Sequence, residues 1–455
     1  MILSNMRIRK LSLKKCIYLA VICALLLIFY FNNKNYEELD TPHQHQKGNK
    51  KFDTRFQSKT FRGNAWYFSN TEYNSRPPMA NRIDKEHRLL PSQVDKSDRI
   101  VNQLMYVPQS YHRIVESGQL KTILLVHGLR QWNVKRGRDI FRIAKCPVHT
   151  CELTDDMQMA STADMMLHKE KFKPTGKVPK NSKQINMLFS MATYVPVPDG
   201  VNWTATHRRD STIVAPYTKW VYYDDNVQER KQDRNYAANK TKKVAWFVSN
   251  CNAVNGRLKY ALELQHHIKV DIYGACGKLK CSRSTPEKCL KLLENYKFYL
   301  AFEDSNCMDY ITEKYLVNAL DRGVLPIVMG ARPADYEELA PRHSYIHVDN
   351  FESAKELAEY LRVLDRDDDQ YNSYFLWRGT GEFIDTHFWC RVCAMLHYED
   401  EVRDPARSSN ERILQGMCIR GSWRGRIGMK DTHSLRLGKQ DLFGNIKVAK
   451  NFMPD

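Results

Sequence analysis

The run Glu303 to Lys314 (EDSNCMDYITEK) gathers carboxylates, amides, a tyrosine and a lysine beside a helix start. A lysine placed there can neutralise a diphosphate, and carboxylates at a strand end can hold sugar hydroxyls and stabilise a cationic sugar carbon. Thr312 or Asp309 can cap the helix. The same letters also make an ordinary helix opening, with Glu313 favoured in the first turn by the macrodipole. A second charged run, Arg208-Arg209-Asp210, reads either as a wall of an anionic site or as arginines paired with nearby acids. Tyr222-Tyr223-Asp224-Asp225 and Asp367-Asp368-Asp369 carry the oxygen ligands that manganese prefers, yet acidic surface turns are far commoner than metal sites. Cys390-x-x-Cys393 fits redox, zinc or disulfide chemistry. No thioredoxin-like context and no second Cys/His pair at finger spacing accompany it, which favours a disulfide.

These residues need a frame, and the second half of the chain supplies one. Short apolar runs alternate with helical patterns: strand Lys243–Ser249, helix Arg257–His266, strand Lys269–Tyr273, helix Pro286–Asn295 and strand Phe298–Phe302. Helix Thr312–Leu320, strand Val324–Val328, helix Pro333–Leu339, strand Tyr345–Val348 and helix Ser353–Leu364 continue the series. Parallel β-α-β units explain this alternation, and right-handed crossovers make it a doubly wound sheet. Ligands then collect beyond the carboxyl ends of the strands, which selects the loops Ser249–Gly256, Glu303–Ile311 and Met329–Gly330. No Gly-x-Gly-x-x-Gly or Walker loop is present, so nicotinamide and ATPase chemistry lack support. The first half predicts a second α/β domain, with a strand at Thr122–Val126, the cysteine-bounded turn Cys146–Cys151, and apolar runs near Ala163–Leu167 and Ile185–Ala192.

At 455 residues the chain has room for two or three domains. Subtracting 52 acidic from 70 basic residues leaves +18, which attracts anions. The basic residues are dispersed and form no legible nucleic-acid motif, so no nucleic-acid partner is expected. Cys16–Phe31 is uncharged and spans about 24 Å as a helix, behind five basic residues; it reads as a signal anchor with residues 1–15 cytosolic and the rest lumenal. A cleaved signal peptide is disfavoured by the bulky Phe29-Tyr30-Phe31. Residues 32–118 read as a polar stem, 119–240 as the first lobe, 241–400 as the second, and 401–455 as a basic, loosely packed extension. Ten cysteines follow the anchor, an even number suited to an oxidising lumen. Asn202 and Asn239 head glycosylation sequons.

The segments Phe298–Glu303, Asp309–Lys314 and Gly323–Gly330 together resemble the signature of the α-1,3-fucosyltransferases, glycosyltransferase family 10. The resemblance extends to Cys146–Cys151, Ala160–Asp164, Asn202–Tyr217 and Phe388–Cys393, covering about Thr122 to Leu396, and is closest to the invertebrate and plant branch that fucosylates the N-glycan core. It implies a Golgi type II membrane protein with two Rossmann-like lobes of GT-B type facing across a cleft. GDP-fucose would lie mainly on the C-terminal lobe and a glycoprotein glycan on the other. Fucose would be transferred, with inversion, to the 3-hydroxyl of GlcNAc. Carried over by position, Arg257, Tyr310, Glu313 and Lys314 contact the donor, as does Asp304 where the family commonly has Asn; Arg208 and Arg209 line the cleft. The resemblance also implies that Cys390 and Cys393 pair with Cys146 and Cys151 and that no metal is obligatory, with manganese at most a stimulant; the sequence leaves a homodimer through the stem open.

One departure stands out. Relatives carry a Glu-containing stretch shortly before the Asn-Trp-Thr-Ala-Thr segment, resembling Leu-Glu-Cys-Pro, and that Glu is the expected base. Here Leu188 to Tyr194 (LFSMATY) places Met191 or a neighbour there, leaving Asp199 and Asp210 as substitutes. A thioether accepts no proton at neutral pH, so a catalytically impaired member that binds GDP-sugar or glycan in the Golgi is the alternative.

Overall fold

The computed structural model describes residues 66–70, 89–91, 99–176, 179, 183–193, 197–281, 284–401 and 418–424. The expected anchor at 16–31 and most of the stem and C-terminal extension lie outside these. Among the described residues no helix is long and apolar enough to cross a membrane.

Two parallel sheets organise the chain. The first has six strands in the order β2-β1-β3-β4-β5-β6: β1 Lys121–Leu125, β2 Cys151–Thr154, β3 Met165–Lys169, β4 Ile185–Phe189, β5 Trp203–Thr206 and β6 Ile213–Val214. Its core is built on Ile123, Leu125, Leu153, Met165, Leu167, Met187 and Trp203, all buried. Residues 99–118, expected in the stem, instead form helices Arg99–Met105 and Tyr111–Ser117 that belong to this core. Ile100 and Leu104, four apart, share one helical face, and Gly118 ends the second helix in the left-handed region at φ 65°. These seven-residue helices are too short to show a sustained apolar period.

An antiparallel pair joins β7 Trp220–Tyr222, which falls between the sheets in sequence, to β14 Gly381–Phe383, which follows both. The second sheet runs β13-β12-β10-β8-β9, with β8 Lys242–Phe247, β9 Val270–Tyr273, β10 Tyr296–Phe302, β12 Leu325–Met329 and β13 Ile346–His347. Every residue of β10 is buried, as expected for a central parallel strand covered on both faces. Phe298, Leu300 and Phe302 pack with helices Arg257–His267 and Ala354–Arg366, while Tyr299 and Ala301 pack with Tyr315, Leu320 and Tyr336. The period of two along the strand thus divides the lobe into two apolar layers. Ser353 caps the helix Ala354–Arg366 by accepting from the Glu356 N–H at 3.2 Å.

The last long helix, Phe388–Glu401, returns to the first core instead of completing the second lobe. Disulfides Cys146–Cys390 and Cys151–Cys393 fasten it there. The first closes a separation of 244 residues, on the order of 5 kcal/mol by loop entropy. The second, Cys151–Cys393, interleaves with it and closes only a short additional ring, so its share is smaller. Residues 418–424 are also anchored, contrary to a loose extension: β15 Cys418–Ile419 pairs with β11 Asn306–Cys307, and Cys307–Cys418 is a disulfide.

Candidate active site

In both sheets one strand order recurs, 2-1-3-4-5, so chain connections diverge between the first and third strands of each lobe. That switch point is where a crevice opens beyond the carboxyl ends. In the second lobe it lies between the loops after β8 and β10, which are the runs 248–256 and 303–312.

Glu303 sits at the centre of this crevice. It follows an all-buried strand, its N–H donates to the Met329 carbonyl at 2.8 Å, and its side chain is fully buried. Such a carboxylate needs partners, and the run supplies them. The Thr312 N–H donates to it at 2.9 Å, the Thr312 hydroxyl at 2.8 Å, and Lys314 Nζ at 2.8 Å. Burial pushes the Glu303 carboxyl up, with Lys314 and Thr312 opposing. Gly330 makes this packing feasible: at φ 147° it lies so close that a Cβ would stand 2.6 Å from Glu303 Cγ.

The helix expected over Thr312–Leu320 is a single turn, Glu313–Leu316, followed by a 3₁₀ turn at Leu320–Arg322. Thr312 occupies the N-cap position, but its hydroxyl is committed to Glu303 and forms no cap. With so short a helix the macrodipole contributes little, and charge compensation falls to side chains. Lys314, its Nζ donating to both Glu303 and Thr312, retains 24% side-chain exposure, and Glu313 is exposed. Asp304 is half-buried.

Arg257 opens the helix Arg257–His267 and is buried, unlike a solvated helix arginine. It donates to the Phe302 carbonyl at 2.7 Å and the Asn250 carbonyl at 3.1 Å, tying the two crevice loops together. Its Nε makes no hydrogen bond among the described residues. Desolvation lowers its pKa, with Asp304 and Glu303 opposing. Asn255 joins the same loops, donating to the Glu303 carbonyl and to Asn306 Oδ1, both at 2.9 Å. The 418–424 segment closes the side: Trp423 Nε1 donates to the Gly330 carbonyl at 2.9 Å, and Asn306 Nδ2 to the Gly421 carbonyl at 2.6 Å.

The first lobe meets this crevice with the carboxyl ends of its own strands. Arg209 donates from Nε to Asp309 Oδ1 at 2.6 Å and from Nη2 to Asp335 Oδ1 at 2.6 Å. It therefore clasps the two lobes and is not left as an anion wall. Asp335, held by Arg332 as well, has its carboxyl pushed down despite burial, whereas burial and Asp335 push Asp309 up. Arg208 pairs with Asp210. His207, at 1% exposure, packs its ring against that of Tyr310, with centroids 5.2 Å apart and the planes tilted by 57°, and neither ring nitrogen has a partner among the described residues. Burial lowers its pKa to about 4, so it is neutral at physiological pH. Tyr310 stays protonated, because burial and then the surrounding acids raise its pKa.

Met191 lies at the carboxyl edge just after β4. Asp199 is exposed in the loop leading into β5. Asn202 is half-buried, with its Oδ1 accepting from the Asn186 N–H at 2.7 Å, whereas Asn239 is exposed. Asp368 accepts from Lys297, 71 residues away, at 3.2 Å, and Asp367 accepts from the Gln370 N–H at 3.0 Å, so both are tied into the fold. Among the described residues one group, Cys151, Cys393 and His397, has metal-like spacing, but its cysteines are disulfide-bonded. Sequence reading passed over Glu170, Ser190, His207 and Tyr217, which gather only when separate strands come together.

A two-lobed α/β chain with cations and carboxylates at a switch point has the design of a group-transfer protein acting on an anionic ligand. Residues 237–411 match the family model described as glycosyltransferase family 10 (fucosyltransferase) C-term. The chain is 52% identical to glycoprotein 3-alpha-L-fucosyltransferase A of Drosophila melanogaster, over 94% of this chain and 99% of that one. It is 30% identical to alpha-(1,3)-fucosyltransferase fut-1 of Caenorhabditis elegans, over 72% and 74%. The chain belongs to the glycosyltransferase family 10 fucosyltransferases. It is also similar to a crystal structure of alpha1,3-fucosyltransferase with GDP, at TM-score 0.44 and 16% identity over 64% of this chain and 92% of that chain.

Proposed function

We propose that the protein transfers L-fucose from GDP-fucose to the 3-hydroxyl of GlcNAc in glycoprotein glycans, with inversion at the anomeric carbon. The observation that carries this is the Glu303–Thr312–Lys314 knot at the carboxyl edge of β10, joined to Arg257 within a family member. Lys314 faces the leaving diphosphate, and Arg257 fixes the two loops that would hold it. Tyr310, kept protonated, donates a hydrogen bond; Glu313 and Asp304 supply acceptors for sugar hydroxyls. The first lobe receives the glycan, where Trp132, Phe189, Phe388 and Trp389 form a half-buried aromatic cluster suited to stacking on a pyranose face.

The reading includes a Golgi membrane location through the 16–31 segment, with the lobes lumenal, and no obligatory metal. Lys314 and Arg257 provide positive charge at the diphosphate without one, and turnover that survives chelation supports this. Complete loss restored by manganese contradicts it. A second reading, a sugar-nucleotide or glycan binder without turnover, rests on the stretch 190–193, which holds no acid. Incubating the full chain with GDP-fucose and a panel of N-glycan and LacNAc acceptors, beside Met191→Glu, separates the two. Product from wild type supports transfer, whereas product from the variant alone supports the binder.

A further inference from the structure

Proton removal from the acceptor hydroxyl requires a base on the side of the sugar opposite the departing diphosphate, because inversion is an in-line displacement. The diphosphate side belongs to the second lobe. The base therefore has to come from the carboxyl edge of the first, and three other acids are placed otherwise. Asp210 is paired with Arg208. Asp199 precedes β5 and lies ahead of the amino end of that strand. Glu303 is buried and committed to Thr312 and Lys314.

Glu170 satisfies the requirement. It follows β3, whose neighbour β1 marks the switch point of the first sheet, the place where that lobe's own crevice opens. Its backbone turns out of the strand into the left-handed region, φ 61°, rarely adopted by glutamate, and is fixed there by its N–H donating to the Phe189 carbonyl at 2.7 Å. The residue is exposed. One carboxylate oxygen, Oε2, accepts from the Ser190 hydroxyl at 2.6 Å. Ser190 Oγ itself accepts from the Ala192 N–H at 3.2 Å, so its single hydrogen is directed at Glu170. Oε1 makes no hydrogen bond among the described residues. The same edge touches the donor side: the Thr193 carbonyl lies 3.8 Å from Cys418 Sγ, which is bonded to Cys307 in the loop after β10. Burial raises the Tyr217 pKa, and the carboxylates Glu313, Glu303, Glu170 and Asp304 raise it further, so Glu170 and the donor-side acids act on one phenol.

We infer that Glu170 is the catalytic base, oriented by Ser190 and supplied by β3 where the β4 edge offers Met191. The inference rests on the transferase reading above. The acceptor oxygen forms its bond to the anomeric carbon, the bond from that carbon to the diphosphate oxygen breaks with its electron pair going to GDP, and the hydroxyl proton passes to Glu170 Oε1. The test compares full-length wild type, Glu170→Gln and Glu170→Ala for fucose transfer from GDP-fucose, with GDP affinity by calorimetry and the thermal midpoint as controls. Glu170→Gln should lose about 10²–10⁴-fold in kcat while GDP affinity and the midpoint hold, and formate should restore part of the Glu170→Ala activity. A Glu170→Gln enzyme with more than about a tenth of wild-type kcat, or an Ala variant that formate leaves silent, overturns the assignment of the base. Wild type without product overturns the transferase reading and this inference together.

Discussion

Glu303 and Lys314 stabilise the site as a pair. Lys314→Met leaves a fully buried carboxylate without its cation, and should cost about 3–5 kcal/mol in chemical denaturation, with Glu303→Gln in the same chain recovering part of it. His207 makes a second residue-scale prediction. It takes up a proton near pH 6.5 when unfolded but only at about 4 when folded, so the unfolded chain binds more protons between those values. Stability therefore falls as pH drops from 7 to 5, by about 2 kcal/mol for this ring, and His168, lowered to about 4 by its own burial, adds to the fall. Thermal midpoints at the two pH values should show the drop, and His207→Gln should flatten it. Lys314, Tyr310 and Glu313 were legible in the sequence because they stand in one contiguous run after a long apolar strand. Glu170 and His207 were not: their neighbours are Ser190, from an adjacent strand, and Tyr310, from the other lobe.

Among the elements, the carboxyl-edge loops do the positioning, and each depends on a contact remote in sequence. Gly330→Ala would drive a methyl into Glu303 in a backbone conformation that alanine resists, so a loss of about 1–3 kcal/mol is expected, with GDP affinity falling as the Glu303–Lys314 pair shifts. Arg209→Met should cost about 3–5 kcal/mol, since Asp309 and Asp335 at 4% and 0% side-chain exposure would lose their shared cation. A cycle with Asp309→Asn should show strong coupling. The alternation of strands and helices in the second half was readable because parallel strands form continuous apolar runs bounded by turns. The partners of Arg209, at separations of 100 and 126 residues, carry no local signature. The helix after Thr312 was overread for the opposite reason: its letters suit a helix, but Thr312 and Lys314 turn inward to Glu303.

For the whole molecule, disulfides join what the chain order separates. Non-reducing peptide mapping should recover Cys146 with Cys390, Cys151 with Cys393, and Cys307 with Cys418; free thiols at any of these would contradict the arrangement. Through them the late helix belongs to the first lobe and the 418–424 segment to the donor-side crevice, neither of which a boundary drawn along the sequence conveys. The central claim concerns the switch point of the second lobe, between the loops after β8 and β10. The most direct measurement is a crystal structure of the protein with GDP. Density for the diphosphate between the loops 248–256 and 303–314, against Lys314, is the result expected, and density outside that crevice would contradict the account.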